Sequence, residues 1–211
     1  MKNFLNKILS VVFLMTCVVQ LSQAENTGVM QLKNFMQKSA NFSASFSQSL
    51  FDDRGSELQY SAGRFSLQKP GKFSWDYEEP YHQVIMSDGK VIWMYDSELE
   101  QVTIKPVDSA LSKTSMVLLF NKTNIDNDFN IVTLDVIDGV SWLELTTKQS
   151  DSEFSNILIG MKNNLIDSLK MIDGFGQTTV IKFTNSKTAV KFKSNRFKFV
   201  IPKNADVIGG A

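Results

Sequence analysis

The sequence predicts a mainly β protein of the α+β class: one large antiparallel sheet, a helix at its start and a helical insertion in mid-chain. Three observations carry this. From Phe42 onward, apolar and polar residues alternate at the two-residue period of half-buried strands. Asp-Gly pairs at 88–89, 138–139 and 173–174 supply residues that tolerate the positive φ angles of tight hairpin turns. Strand and turn recur roughly every ten residues, which describes an antiparallel meander and not a parallel sheet with crossover helices.

The first 24 residues stand outside that fold. Lys2 and Lys7 form a positive start, Ile8 to Val19 is apolar, and Ser22-Gln23-Ala24 is a small-x-small cleavage site. The apolar run falls short of the roughly 20 residues needed to span a bilayer. Residues 1–24 are therefore expected to be a removed signal, and 25–211 a single exported domain. The only cysteine, Cys17, lies inside the signal; Met15 and Thr16 are large for a lipid-attachment site, so Ala24 is the better cleavage point. A mature chain starting at Glu25 has no thiol for disulfides, metal or catalysis.

Removing Lys2 and Lys7 from the 22 basic residues leaves 20 against 22 acidic, a net of about −2. With no charged block, nucleic acid is not an expected partner. What stands out is 14 Phe and 7 Met, once Phe4, Phe13, Met1 and Met15 leave with the signal. Methionine refits to varied apolar surfaces.

In order along the chain, Asn26 or Thr27 can cap a helix with Val29, Leu32, Phe35 and Met36 on one stripe. Asn41–Leu50 then puts Phe42, Ala44, Phe46 and Leu50 on one face and serines on the other. Asp52 to Gly55 turns it back into Gln59–Gln68, where Phe65 and Leu67 share a face. Pro70-Gly71 turns into a strand with Phe73, Trp75 and Tyr77 at period 2. Beyond Asp88-Gly89, Trp93 and Tyr95 share one face and Ile92 and Met94 the other. Asn163-Asn164 is a further turn. Pro106 to Asn127 lacks alternation and carries Asp108, Ser109, Thr114 and Ser115 as caps, which favours short helices over a strand. Helices laid on a sheet with one apolar face would cover it.

Catalytic chemistry is missing. His82 is the only histidine, and it reads as a surface residue after a turn. Asp52-Asp53, Glu78-Glu79 and Glu98/Glu100 pair carboxylates in expected turns, where solvated charge belongs. No GxSxG, HExxH, P-loop or GxGxxG occurs. Neither an enzyme, a metal site nor a cofactor is expected.

The exported start, FSASFSQ (Phe42–Gln48), Gly63 with Phe65, KPGKFSW (Lys69–Trp75), Pro80 and SDGKVIWMYDSELEQV (Ser87–Val102) together resemble the LolA family of periplasmic outer-membrane lipoprotein carriers. The resemblance implies an incomplete β-barrel: a strongly curved antiparallel sheet closed by a lid of short α-helices over an apolar cavity. It implies a monomeric carrier that receives acylated lipoproteins from an inner-membrane ABC transporter (LolCDE-like) and passes them to an outer-membrane acceptor (LolB-like). The family's cavity Phe and Trp fall on Phe73 and Trp75; Phe65, Leu67 and Trp93 are expected beside them, with Met116, Leu118 and Leu119 on the lid. The family commonly has Arg before the proline, latching the lid, where this chain has Lys69, a point charge without the planar fork. Three rival readings follow from the same residues: a lipid-anchored LolB-type acceptor, which would need Cys17 acylated; a secreted binder of free lipids or small apolar ligands; and a hydrolase built on His82. A lipocalin-like binder usually carries Gly-x-Trp, which none of Trp75, Trp93 and Trp142 supplies.

Overall fold

A computed structural model of the 211-residue chain describes residues 28–107, 125–148 and 154–210. The expected signal, Cys17 and the expected lid residues Met116, Leu118 and Leu119 lie outside the described residues.

Helix α1 covers residues 28–38. The strands are β1 (Asn41–Phe51), β2 (Glu57–Gln68), β3 (Lys72–Glu79), β4 (Gln83–Asp88), β5 (Val91–Asp96) and β6 (Gln101–Pro106). A helical turn, α2 (Ile125–Asp128), leads into β7 (Phe129–Ile137), β8 (Val140–Thr147), β9 (Phe154–Lys162), β10 (Leu165–Asp173), β11 (Thr178–Thr188) and β12 (Asp206–Gly209). All twelve strands form one sheet in the order β12-β6-β5-β4-β3-β2-β1-β11-β10-β9-β8-β7. Two meanders, β1 to β6 and β7 to β11, are joined where β1 pairs with β11, and the far edges do not meet.

The turns form where the sequence supplies the backbone freedom. Asp138-Gly139 and Asn163-Asn164 take positive φ at both residues, the geometry of a two-residue hairpin turn. Asp88 works differently: its carboxylate accepts from the backbone N–H of Lys90 at 2.8 Å and of Val91 at 3.1 Å, while Gly89 takes the positive φ. Asp173 likewise accepts from the N–H groups of Phe175 and Gln177, both at 2.9 Å, and Gly176 rather than Gly174 takes positive φ. Glu78 and Glu79, expected in a turn, instead end β3.

One pairing departs from the expected antiparallel meander: β12 runs parallel to β6. The segment leading to it crosses the outer face of the sheet. There Arg196 donates to Ser66 at 3.0 Å, Phe197 is buried, and Phe199 stacks on Trp93 at 6.1 Å between ring centroids.

Candidate functional site

Alternation and register decide which side chains share the inner face. Directly opposed residues of antiparallel strands point the same way. Phe42 is opposite Leu67, Ala44 opposite Phe65, and Phe46 opposite Phe183. Phe65 is opposite Trp75 and Leu67 opposite Phe73. Phe65, Leu67, Phe73 and Trp75 therefore stand together on one face, each no more than 1% exposed.

The rings show that this face is concave. On a flat sheet, Trp75 of β3 and Phe183 of β11 would be three strand spacings apart, about 14 Å. Their ring centroids are 6.1 Å apart. Phe46 and Trp75, two spacings apart, approach to 4.9 Å. Curling brings the aromatics together, and the cluster continues through Leu143, Ile157 and Ile159 of the second meander.

Trp93 does not belong to this site. Met86 is opposite both Ser74 and Trp93, so Trp93 follows Ser74 to the convex face, while Ile92, opposite Ser87 and thus in line with Phe73, turns inward. The inward pair on β5 is Ile92 and Met94, both packed in or against the concave core. Trp93 is claimed by Phe199, which also lies 6.2 Å from Tyr95. Alternation had separated the two sets, but both are apolar, so only long-range register could assign them. Phe42, Phe46 and Phe183 were also not predicted as site residues, although the period of β1 carried the signal for the first two.

Helix α1 lies across the concave side. Gly28 packs against Leu143 and Ser141 of β8, and a Cβ there would come within 3.1 Å of the Leu143 side chain. Leu32 and Phe35 are buried in the core, and Phe35 meets Phe42 edge-on at 5.2 Å. At its far end the Lys69 ammonium donates to the Met36 carbonyl oxygen at 2.5 Å. The last carbonyls of a helix lack intrahelical donors and carry the negative end of its dipole, so a cation there is favourable. Burial pulls the Lys69 ammonium below the ordinary lysine range. Lys33 binds Asp126 of α2 at 2.6 Å in a half-exposed pair.

The concave face changes character toward the other end of β3. Tyr77 donates to the Gln48 side-chain oxygen at 3.2 Å, and its ring meets Phe46 at 5.1 Å. Burial pushes the Tyr77 phenol up to about 12, partly opposed by the bond to Gln48. A cavity of about 150 Å³ opens beside it, lined by Gln48, Gln59, Ser61, Tyr77 and Ile85 among others. Among the described residues the buried Trp75 indole N–H has no hydrogen-bond partner. His82 is exposed and faces Asp76 at 3.2 Å; Asp76 is opposite Val84, on the convex side, away from the aromatic face.

A long sheet curled over its own aromatic face, with a helix laid across the hollow, defines a half-barrel binding protein. Residues 37–200 match the family described as outer membrane lipoprotein carrier protein LolA. Proteins named outer-membrane lipoprotein carrier protein are 35% identical over 182 residues in Methylobacillus flagellatus (86% of this chain, 89% of that protein). The relative in Methylococcus capsulatus is 37% identical over 186 residues (88% and 89%), and that in Nitrosomonas europaea 33% over 205 (97% and 99%). An uncharacterized conserved protein from Thermus thermophilus shares the fold with a TM-score of 0.55 at 12% identity, covering 85% of this chain and 95% of that one. The chain belongs to the LolA family. That family consists of carriers and not of enzymes.

Proposed function

We propose that this protein carries acylated lipoproteins through the periplasm, receiving them from an inner-membrane ABC transporter and delivering them to an outer-membrane acceptor. One observation supports this most: a continuous aromatic face is buried on the concave side of the sheet, and one ammonium–carbonyl bond holds the C-terminal end of the helix that packs into the same core. In this reading Phe65, Leu67, Phe73 and Trp75 contact acyl chains, and Lys69 is the latch. Residues 1–24 are the export signal, and Met116, Leu118 and Leu119 complete the cover.

The energetics favour a covered site over an open one. Each buried CH₂ contributes about 0.8 kcal/mol, so a long acyl chain gains on the order of 10 kcal/mol. Displacing α1 exposes Leu32 and Phe35, about 1.5–3 kcal/mol each, and breaks the Lys69 bond. The cover thus competes with cargo and lowers net affinity, which lets a cargo with several chains bind and still be released.

The test is co-purification of the periplasmic form with its cargo, read by mass spectrometry for acylated proteins against free lipids. Acylated proteins support the carrier; free lipids alone would replace it with a general lipid binder. The same spectra report the mature N-terminus: Glu25 fits a soluble carrier, and a lipidated Cys17 would reassign the chain as an anchored acceptor.

A further inference from the structure

The carrier reading accounts for the apolar end of the concave face and leaves the polar end unexplained. We infer that the cavity beside Tyr77 is a second subsite, which takes the uncharged, carbonyl-rich linkage joining acyl chains to a polypeptide and turns away anionic lipid head groups. The inference rests on the carrier reading, since it places the head of the same cargo.

Position comes first. Gln48, Ser61, Tyr77 and Ile85 share the face of Phe46 and Trp75 by register, and Ile85 is directly opposite Trp75. Acyl chains lying along Phe65, Phe73 and Trp75 would therefore end where hydrogen-bonding groups begin. The volume, about 150 Å³, equals the liquid share of about five waters, room for an ester or amide group and not for the acyl chains.

Chemistry comes second. Ester and amide carbonyls need donors and no counter-charge. The cavity offers the Tyr77 hydroxyl and the amides of Gln48 and Gln59. Among the described residues these are engaged with each other and with Ser61, through bonds at the long end of the range: Tyr77 to Gln48 at 3.2 Å and Gln59 to Ser61 at 3.3 Å. Such pairs exchange readily for a ligand oxygen.

Charge comes third. Among the described residues, Glu79 is the only charged one lining the cavity, and neither lysine nor arginine lines it. A phosphate there would be repelled by the Glu79 carboxylate, whereas a neutral linkage would not.

The experiment measures affinity of the mature protein for three probes: a triacylated lipopeptide, its analogue with every acyl carbonyl replaced by CH₂, and phosphatidylglycerol. The expected wild-type result is a preference of about tenfold for the carbonyl lipopeptide over the CH₂ analogue, with phosphatidylglycerol weakest. In Tyr77→Phe, which removes one oxygen and keeps the ring against Phe46, and in Gln48→Leu, the preference should shrink toward one. A wild type that does not distinguish the two lipopeptides, variants that retain the preference, or phosphatidylglycerol binding as tightly as the lipopeptide would each overturn the subsite and leave the carrier standing. A wild type that binds neither lipopeptide would remove the carrier reading and the subsite together.

Discussion

At the scale of single residues, Lys69 and Phe73 make opposite predictions. Lys69→Leu should leave the sheet intact and free the C-terminal end of α1. The expected loss is about 1–2 kcal/mol, with hydrogen exchange rising in residues 28–38 and fluorescent fatty acid entering faster. An unchanged uptake rate would end the latch role. Phe73→Glu should lose lipoprotein loading, because a carboxylate on the aromatic face opposes acyl chains; full loading would take Phe73 out of the site. Tyr77 predicts an alkaline limb. Its pKa is raised in the folded protein, so the stability it adds is complete below its ordinary value near 10. That stability is lost as pH climbs through about 12, roughly 3 kcal/mol in all. Lys69 has the opposite sign: its lowered pKa lets the folded chain release a proton first, so stability rises with pH until the ordinary value of 10.5 is passed. Denaturation midpoints of wild type and Tyr77→Phe from pH 9 to 12 separate the two.

At the scale of elements, the two faces of the sheet can be perturbed independently. Phe199→Ala should change Trp93 fluorescence and loosen the C-terminal segment while cargo affinity holds, because Trp93 and Phe199 meet on the convex side. A fall in cargo affinity would contradict that assignment. Gly63→Ala should be severe: a Cβ there would run into the backbone carbonyl of Asp76 and the Cα of Tyr77, and backbone has nowhere to move. The β2–β3 register shift at Ala62/Gly63 would open, at about 3 kcal/mol or more by thermal denaturation. The same comparison marks what the sequence made legible. Asp138-Gly139 and Asn163-Asn164 announced turns because few residue pairs accept their backbone angles. The alternation of Phe65 and Leu67 with Ser66 identified a half-buried strand. What separates Trp93 from Ile92 is pairing across four strands, which no local period encodes. The strand Asp206–Gly209 was missed because four residues leave no period to read, and its parallel partner is a hundred residues away.

At the scale of the whole molecule, the surface proposed for cargo is also the one that the fold buries. The concave cluster spans both meanders and includes α1, so under the proposed function loading cargo would exchange one covering of that surface for another. Stability and affinity are then linked: a cargo that displaces α1 gives up the stabilisation of Leu32 and Phe35. Hydrogen exchange of the loaded protein should show protection falling in residues 28–38 while β1, β2 and β11 hold theirs. Protection rising throughout would mean that cargo binds without moving the helix. This level was the least legible in advance, since a wall facing cargo and a core facing itself have the same composition.

The seam between β1 and β11 has a temporal consequence. Phe46 waits for Phe183, 137 positions downstream, before its strand gains its second neighbour. A nascent or refolding chain must keep the first meander's greasy aspect unsatisfied until nearly all of the rest has formed, and ring closure over such a span is slow. Newly made molecules would thus pass through an interval in which a greasy surface lies open, in want of an escort.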